Sequence, residues 1–247
     1  MNRIKDYGQL AFDIDRWLQD YYYFHAIKAF VVGVSGGIDS AVVSTLCART
    51  EHPTYVLTMP LHSKKENTEL SDAHAKALVD KYPNVKVVNI DLTETYDKFM
   101  LNVDDTFTGS QLANANTKSR LRMVSLYQVA GSVGGIVVGT GNKVEDYGIG
   151  FYTKYGDGGV DIAPIADLYK TEVRELGWHL GVMNEIIDAK PTDGLWDDGR
   201  SDEDQIGATY AELEEAMENG TGKAVDILYK FNRQNRHKME PIPTFKL

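Results

Sequence analysis

The chain has one cysteine, Cys47, in 247 residues, so it cannot close an internal disulfide and a reducing compartment is expected. No apolar run reaches the roughly 18 residues that a membrane span needs. The opening Met1-Asn2-Arg3-Ile4-Lys5-Asp6 turns polar at once and has no apolar leader core. Positive charge is also scarce: 26 basic side chains face 36 acidic ones, a formal net charge of −10. That balance offers no footprint for long nucleic acid, so neither nucleic acid nor membrane is an expected partner. With 43% hydrophobic and 25% charged residues, the chain has the mix of an ordinary globular protein. The expectation is a cytoplasmic enzyme or ligand-binding protein.

Ile4, Leu10, Ile14 and Leu18 recur at roughly helical spacing and predict an amphipathic first helix. Ala29–Val34 is short, β-branched and almost wholly apolar, as a strand covered on both faces requires. The alternation continues with helix 39–49, strand 55–59, helix 66–81 and strand 85–90. Thr93 is placed to cap a short helix, a longer one is predicted over 111–130, and a fourth strand over 136–139. Residues 140–165 are glycine-rich without a helical period and read as a long functional loop. Helices are predicted over 168–180, 185–189, 202–218 and 224–233, with a second loop at 191–201. Such alternation means βαβ units and an α/β fold. An open, mostly parallel, doubly wound sheet flanked by helices is expected, in one domain over 1–247.

The most informative segment is Gly33-Val34-Ser35-Gly36-Gly37-Ile38-Asp39-Ser40, between the first strand and its helix. At ordinary residue usage, Ser-Gly-Gly-x-Asp-Ser arises about once per million windows. Two glycines let the backbone turn tightly and bring amides against an anion, and the helix N-terminus adds partial positive charge. Ser35 and Ser40 supply hydroxyl donors. Asp39 beside a phosphate makes sense mainly if a metal ion bridges the two. No Gly-Lys-[Ser/Thr] follows the glycines, so this is not a Walker A loop. Gly139-Thr140-Gly141-Asn142 also fails as a dinucleotide fingerprint, because Val144 stands where the last glycine belongs. Thr140 instead falls at the carboxyl end of a strand, where ligands of open α/β sheets sit, and Glu145 is a second candidate metal carboxylate.

The Ser-Gly-Gly-x-Asp-Ser loop resembles the pyrophosphate-binding loop of the ATP pyrophosphatases, which adenylate a substrate oxygen. Within that group three blocks closely resemble ammonia-dependent NAD+ synthetase: Thr140–Glu145, Phe151–Ile162 and Leu168–Leu176. So do Lys118–Met123, Pro191–Trp196, Ser201–Asp204 and His237-Lys238, in order along nearly the whole chain. The resemblance implies a homodimeric ligase that forms a C–N bond, converting deamido-NAD+ (nicotinic acid adenine dinucleotide), ATP and ammonia into NAD+, AMP and pyrophosphate. Ammonia is expected as nitrogen donor because no nitrilase-like region or N-terminal nucleophilic cysteine is present.

By matching positions, the resemblance gives the ATP phosphates to Gly33, Val34, Ser35, Gly36, Gly37, Ile38, Asp39 and Ser40, with Thr140, Lys170 and Thr192 as further ATP contacts. Asp39 and Glu145 match magnesium ligands, with Asp146 as the alternative to Glu145. Arg120, Lys154, Asp161, His237 and Lys238 match positions that hold deamido-NAD+. Asp39, Lys154 and Lys170 are the catalytic candidates. Two rival readings are another adenylating enzyme, acting on tRNA, and a non-catalytic nucleotide sensor. The first is disfavoured by the acidic charge, the second by the presence of Asp39, Glu145, Lys154 and Lys170.

The remaining residues have blander expectations. Cys47 reads as helix packing. Met123, Leu126 and Val129 read as core or dimer packing. His62 and His74 read as surface residues, and 234–247 as a mobile tail that orders on the substrate.

Overall fold

The computed structural model describes residues 3–191 and 201–247. Among these residues, four parallel strands form one sheet in the order β3-β2-β1-β4: β1 (Phe30–Gly33), β2 (Thr54–Thr58), β3 (Val85–Asn89) and β4 (Ile136–Val137). Phe30 pairs with Thr54 on one side and Ile136 on the other, so β1 is central and its carboxyl end opens between two neighbours. The expected doubly wound α/β sheet is what forms.

Successive strand residues serve opposite faces, as a pleated strand must. Phe30 and Val32 pack with α1 (Tyr7–Phe24), α2 (Ile38–Arg49), α6 (Lys170–Leu180) and α7 (Asn184–Ile187). Val31 packs on the other face with Leu57, Leu61, Tyr96 and Ala130, under α4 (Thr93–Met100) and α5 (Gln111–Val133). On the first face α3 (Lys65–Lys81) adds Ala75 and Leu78 against Val56. Leu126 and Val129 join the core beneath α5, as their spacing implied. Cys47 is fully buried in α2, and burial pushes its thiol up, so it is inert packing.

Several boundaries differ from the sequence expectation, each for a local reason. Thr93 is the first residue of α4 rather than its cap, and the Asp91 carboxylate accepts the Thr93 N–H at 2.8 Å. The stretch after Gly139 is not wholly irregular. Lys143–Ile149 winds into a π-helical turn whose first amides, of Val144 and Glu145, both donate to Asn142 Oδ1 at 3.1 Å. The single helix expected over 202–218 is two, α8 (Asp202–Ile206) and α9 (Tyr210–Asn219). Gly207 at φ +82° stops the first, and Thr209 caps the second through a reciprocal bond with Glu212. α10 (Val225–Met239) continues six residues past the expected end at Arg233. α8, α9 and α10 share a second apolar cluster with the π turn, built on Val144, Ile149, Tyr210, Leu213 and Leu228.

His74 is the clearest misplacement. It is 3% exposed, its Nε2 lies 2.9 Å from Ser44 Oγ, and burial lowers its pKa to about 4. His62 is exposed as expected and lies 2.7 Å from Asp97. Most of the loop expected over 191–201 lies outside the described residues.

Candidate active site

β1 runs straight into the Ser35-Gly36-Gly37 turn, and α2 begins one residue later. Gly36 adopts φ +87°, and a Cβ there would come within 2.8 Å of the Asn67 carbonyl oxygen. Only glycine fits both conditions. Gly37 occupies the N-cap position of α2 with no side chain closing the first amides. The turn is braced from within: Ser40 Oγ donates to the Gly37 carbonyl at 2.9 Å and accepts the Ser35 N–H at 3.2 Å. This is an anion cradle at a helix N-terminus. Thr140 follows the bridge at Val138 on the neighbouring strand, at the same edge of the sheet.

Asp39, in the first turn of α2, faces Lys170, the first residue of α6. Lys170 Nζ lies 2.5 Å from Asp39 Oδ2 and 2.9 Å from Glu145 Oε1. The lysine side chain is 5% exposed, and each carboxylate 16%. Asn142 Nδ2 donates to Asp39 Oδ1 at 3.2 Å, so one asparagine both starts the π turn carrying Glu145 and steadies Asp39. The start of α6 is itself fixed: Glu172 accepts the Tyr169 N–H at 2.9 Å and a two-pronged contact from Arg3 at 2.8 and 3.0 Å.

Burial and charge compete in this cluster. Burial pushes the Asp39 carboxyl up; Lys170 pulls it back without fully compensating. Burial opposes ionisation of Glu145 too, but the Lys170 charge and a hydrogen bond from Tyr210 overcome it and hold that carboxyl below its ordinary range. Burial also disfavours the ammonium, yet the two carboxylates outweigh it and keep Lys170 charged. One ammonium against two carboxylates leaves an excess negative charge.

That donor set fits a divalent cation. Two carboxylates converge on a positive charge, and all the donors are hard oxygens. Among the described residues no group of three or more His, Cys, Asp or Glu side chains forms a cage for a metal. A pair suits magnesium, which keeps several waters and takes further ligands from substrate phosphates. Asp146, the alternative, packs its carboxylate against Gly141, and burial, with the nearby Glu145 charge, lifts its pKa to about 8.

The basic candidates gather on the adjoining rim. Arg120 donates to the Lys154 carbonyl at 3.3 Å, and Lys154 Nζ donates to the His237 carbonyl at 2.7 Å. Lys238 Nζ donates to the Tyr152 carbonyl at 2.8 Å. His237 and Lys238 lie in the last turn of α10, so the expected tail is helical as far as Met239. Asp161 sits apart from this rim, accepting the Val137 N–H at 2.7 Å and the Tyr127 hydroxyl at 3.0 Å. Thr192 lies outside the described residues.

Asn142 and Tyr210 were missed as site residues. Asn142 stood inside a block already singled out, between Thr140 and Glu145. Tyr210 gave no signal, because a tyrosine opening an amphipathic helix looks like core.

A parallel sheet whose central strand ends in a glycine cradle, with two carboxylates and a lysine at its mouth, defines an ATP pyrophosphatase-type protein. The NAD synthase family model matches residues 11–242, and the chain belongs to that family. It is 35% identical over 243 residues to the NH3-dependent NAD+ synthetase of Finegoldia magna, covering 98% of this chain and 97% of that one. Among solved structures, NMN synthetase from Francisella tularensis superposes with a TM-score of 0.89 at 31% identity, over 99% of this chain and 100% of that one. NH3-dependent NAD synthetase from Campylobacter jejuni gives 0.78 at 25% identity, over 98% and 100%.

Proposed function

We propose that this chain catalyses ATP-dependent amidation of deamido-NAD+ with ammonia, releasing NAD+, AMP and pyrophosphate. The observation that carries the reading is the buried Asp39–Lys170–Glu145 cluster at the mouth of the phosphate cradle. Family membership over nearly the full chain supports it.

A carboxylate is a poor acyl donor because its oxygen leaves badly. In the first step a nicotinate carboxylate oxygen bonds to the α-phosphorus of ATP, the bond to the bridging oxygen breaks, and pyrophosphate leaves. In the second, the ammonia nitrogen bonds to the acyl carbon, its C–O bond breaks, AMP leaves and the nitrogen loses a proton. Neither step needs an enzyme nucleophile. What the protein supplies is positioning and charge. The main-chain amides that open α2 and the Ser35 hydroxyl are assigned to phosphate oxygens, with Thr140 beside them. The Val34 N–H and the Ser40 hydroxyl are already spent on the Leu57 and Gly37 carbonyls and brace the turn instead. Asp39 and Glu145 are assigned to a magnesium ion, which supplies positive charge to the phosphoryl oxygens. Lys170, already charged between these carboxylates, is assigned to the departing pyrophosphate. Arg120, Lys154, His237 and Lys238 are assigned to the acceptor as a rim; Asp161 is assigned to it too, from its separate place beside Val137 and Tyr127. The reading includes a homodimer in the cytoplasm, and sedimentation of the purified chain checks the dimer.

One observation favours a second reading of the acceptor alone. The TM-score is higher to the protein described as NMN synthetase than to the C. jejuni NAD synthetase, 0.89 against 0.78. That comparison points to nicotinic acid mononucleotide, which carries the same carboxylate. One assay separates the readings: ATP, magnesium and an ammonium salt with either acceptor, following AMP, pyrophosphate and amide. The expected result is a higher kcat/KM with deamido-NAD+. A preference for the mononucleotide selects the second reading, and no turnover with either overturns both.

A further inference from the structure

We infer that Tyr210 is a positioning residue for this site, acting through Glu145. The hydroxyl donates to Glu145 Oε1 at 2.6 Å, the same oxygen that Lys170 Nζ reaches at 2.9 Å. The ring lies 4.9 Å from Lys170 Nζ, within cation–π range. One side chain therefore touches both the carboxylate and the ammonium of the central cluster. Two donors on Oε1 set the rotation of the Glu145 carboxyl group, and so where its charge points.

The tyrosine is itself held rigidly. It is 4% exposed, packed in the apolar cluster of the π turn, α8 and α9. Its main-chain N–H donates to Glu203 Oε1 at 2.9 Å, and Asp202 Oδ2 lies 3.4 Å from its hydroxyl. A core tyrosine with no further role needs only one acceptor, and any main-chain carbonyl serves. This one spends its proton on a carboxylate assigned to the cation, 65 residues earlier in the chain. The arrangement makes the start of α9 a support for the π turn that carries Glu145.

The inference rests on the assignment of Asp39 and Glu145 to a divalent cation, and its test checks that first. Mn2+ is titrated into the full chain with a nonhydrolysable ATP analogue, and binding is read by electron paramagnetic resonance well below the melting temperature. A wild-type chain that binds no Mn2+ defeats the assignment and the inference that rests on it, whereas wild-type binding isolates the role of Tyr210. Given wild-type binding, Tyr210→Phe keeps the ring and removes one charge-assisted hydrogen bond. The expected outcome is Mn2+ affinity about tenfold weaker, with the KM for the acceptor unchanged. In a Glu145→Gln background, Tyr210→Phe should add little, because its effect runs through that carboxylate. The cycle still decides if the phenylalanine variant melts early, since every variant is compared while folded. Wild-type Mn2+ affinity in Tyr210→Phe, or a loss equal in both backgrounds, overturns the inference and leaves a packing role.

Discussion

Lys170 Nζ lies 2.5 Å from Asp39 Oδ2 although 131 residues separate them. Neither helix start makes sense in isolation. Asp39 in the first turn of α2 would repel a phosphate held by the same turn, and Lys170 is buried to a degree rare for lysine. Brought together beside Glu145, they become a cluster with one negative charge in excess, at the place where polyphosphate and cation would arrive.

Removing the ammonium should expose what it balances. Lys170→Met leaves two mostly buried carboxylates facing each other, a loss on the order of 3 kcal/mol in stability. Added magnesium should therefore raise the melting temperature of Lys170→Met more than that of the wild type. Calorimetry with and without magnesium chloride reads this directly. Equal shifts would mean that the carboxylates do not share a cation site.

Asp39→Asn should leave the fold intact, because the amide oxygen still accepts from Lys170 and only the 3.2 Å bond from Asn142 is lost. Turnover should fall by orders of magnitude, since a charged ligand is lost. Steady-state AMP release at saturating magnesium is the measurement. Near-normal turnover would remove Asp39 from the metal role.

Gly36→Ala combines a left-handed backbone with a Cβ 2.8 Å from the Asn67 carbonyl oxygen. The expected cost is about 1–3 kcal/mol in stability. The same displacement of the cradle should raise the KM for ATP more than that for ammonia. Urea unfolding and a two-substrate kinetic series check the two effects separately.

His74 predicts a pH dependence of stability. Buried against Ser44, it stays neutral down to about pH 4, whereas the unfolded chain protonates it near its ordinary value of 6.5. Between those values the unfolded state binds more protons, so stability falls as pH drops through 6.5 and the loss levels off below about 4. The full effect is on the order of 3 kcal/mol. Urea midpoints at pH 7.5 and 4.5 for wild type and His74→Gln measure it, and the wild type should lose more.

Much of this protein is legible before any coordinates. The β-branched run at 29–34, the glycine pair behind it and the alternation of strands with helices fix an α/β layer with a phosphate turn on its first crossover. Those signals are local: they depend on side-chain period and backbone freedom within a few residues. Cys47 packing and the apolar stripe of α5 were readable for the same reason.

Other features are hidden within a locally smooth pattern or follow from packing between distant segments. The Gly207 break between α8 and α9 and the π turn depend on capping partners whose choice a smooth helical period conceals. His74 looked like surface because a lone histidine is more often exposed than buried; only the fold sets it against Ser44 of α2.

The sequence by itself determined the turn, its glycines and the carboxylate that follows them, because tight backbone geometry and amide placement are short-range properties. Tertiary structure alone decided that Lys170 and Asn142 meet Asp39, that Lys170 also meets Glu145, and that Tyr210 reaches Glu145. Those contacts span 25 to 131 residues, except where Asn142 starts the π turn of Glu145, and no local periodicity encodes which distant side chains an open parallel sheet brings to one edge.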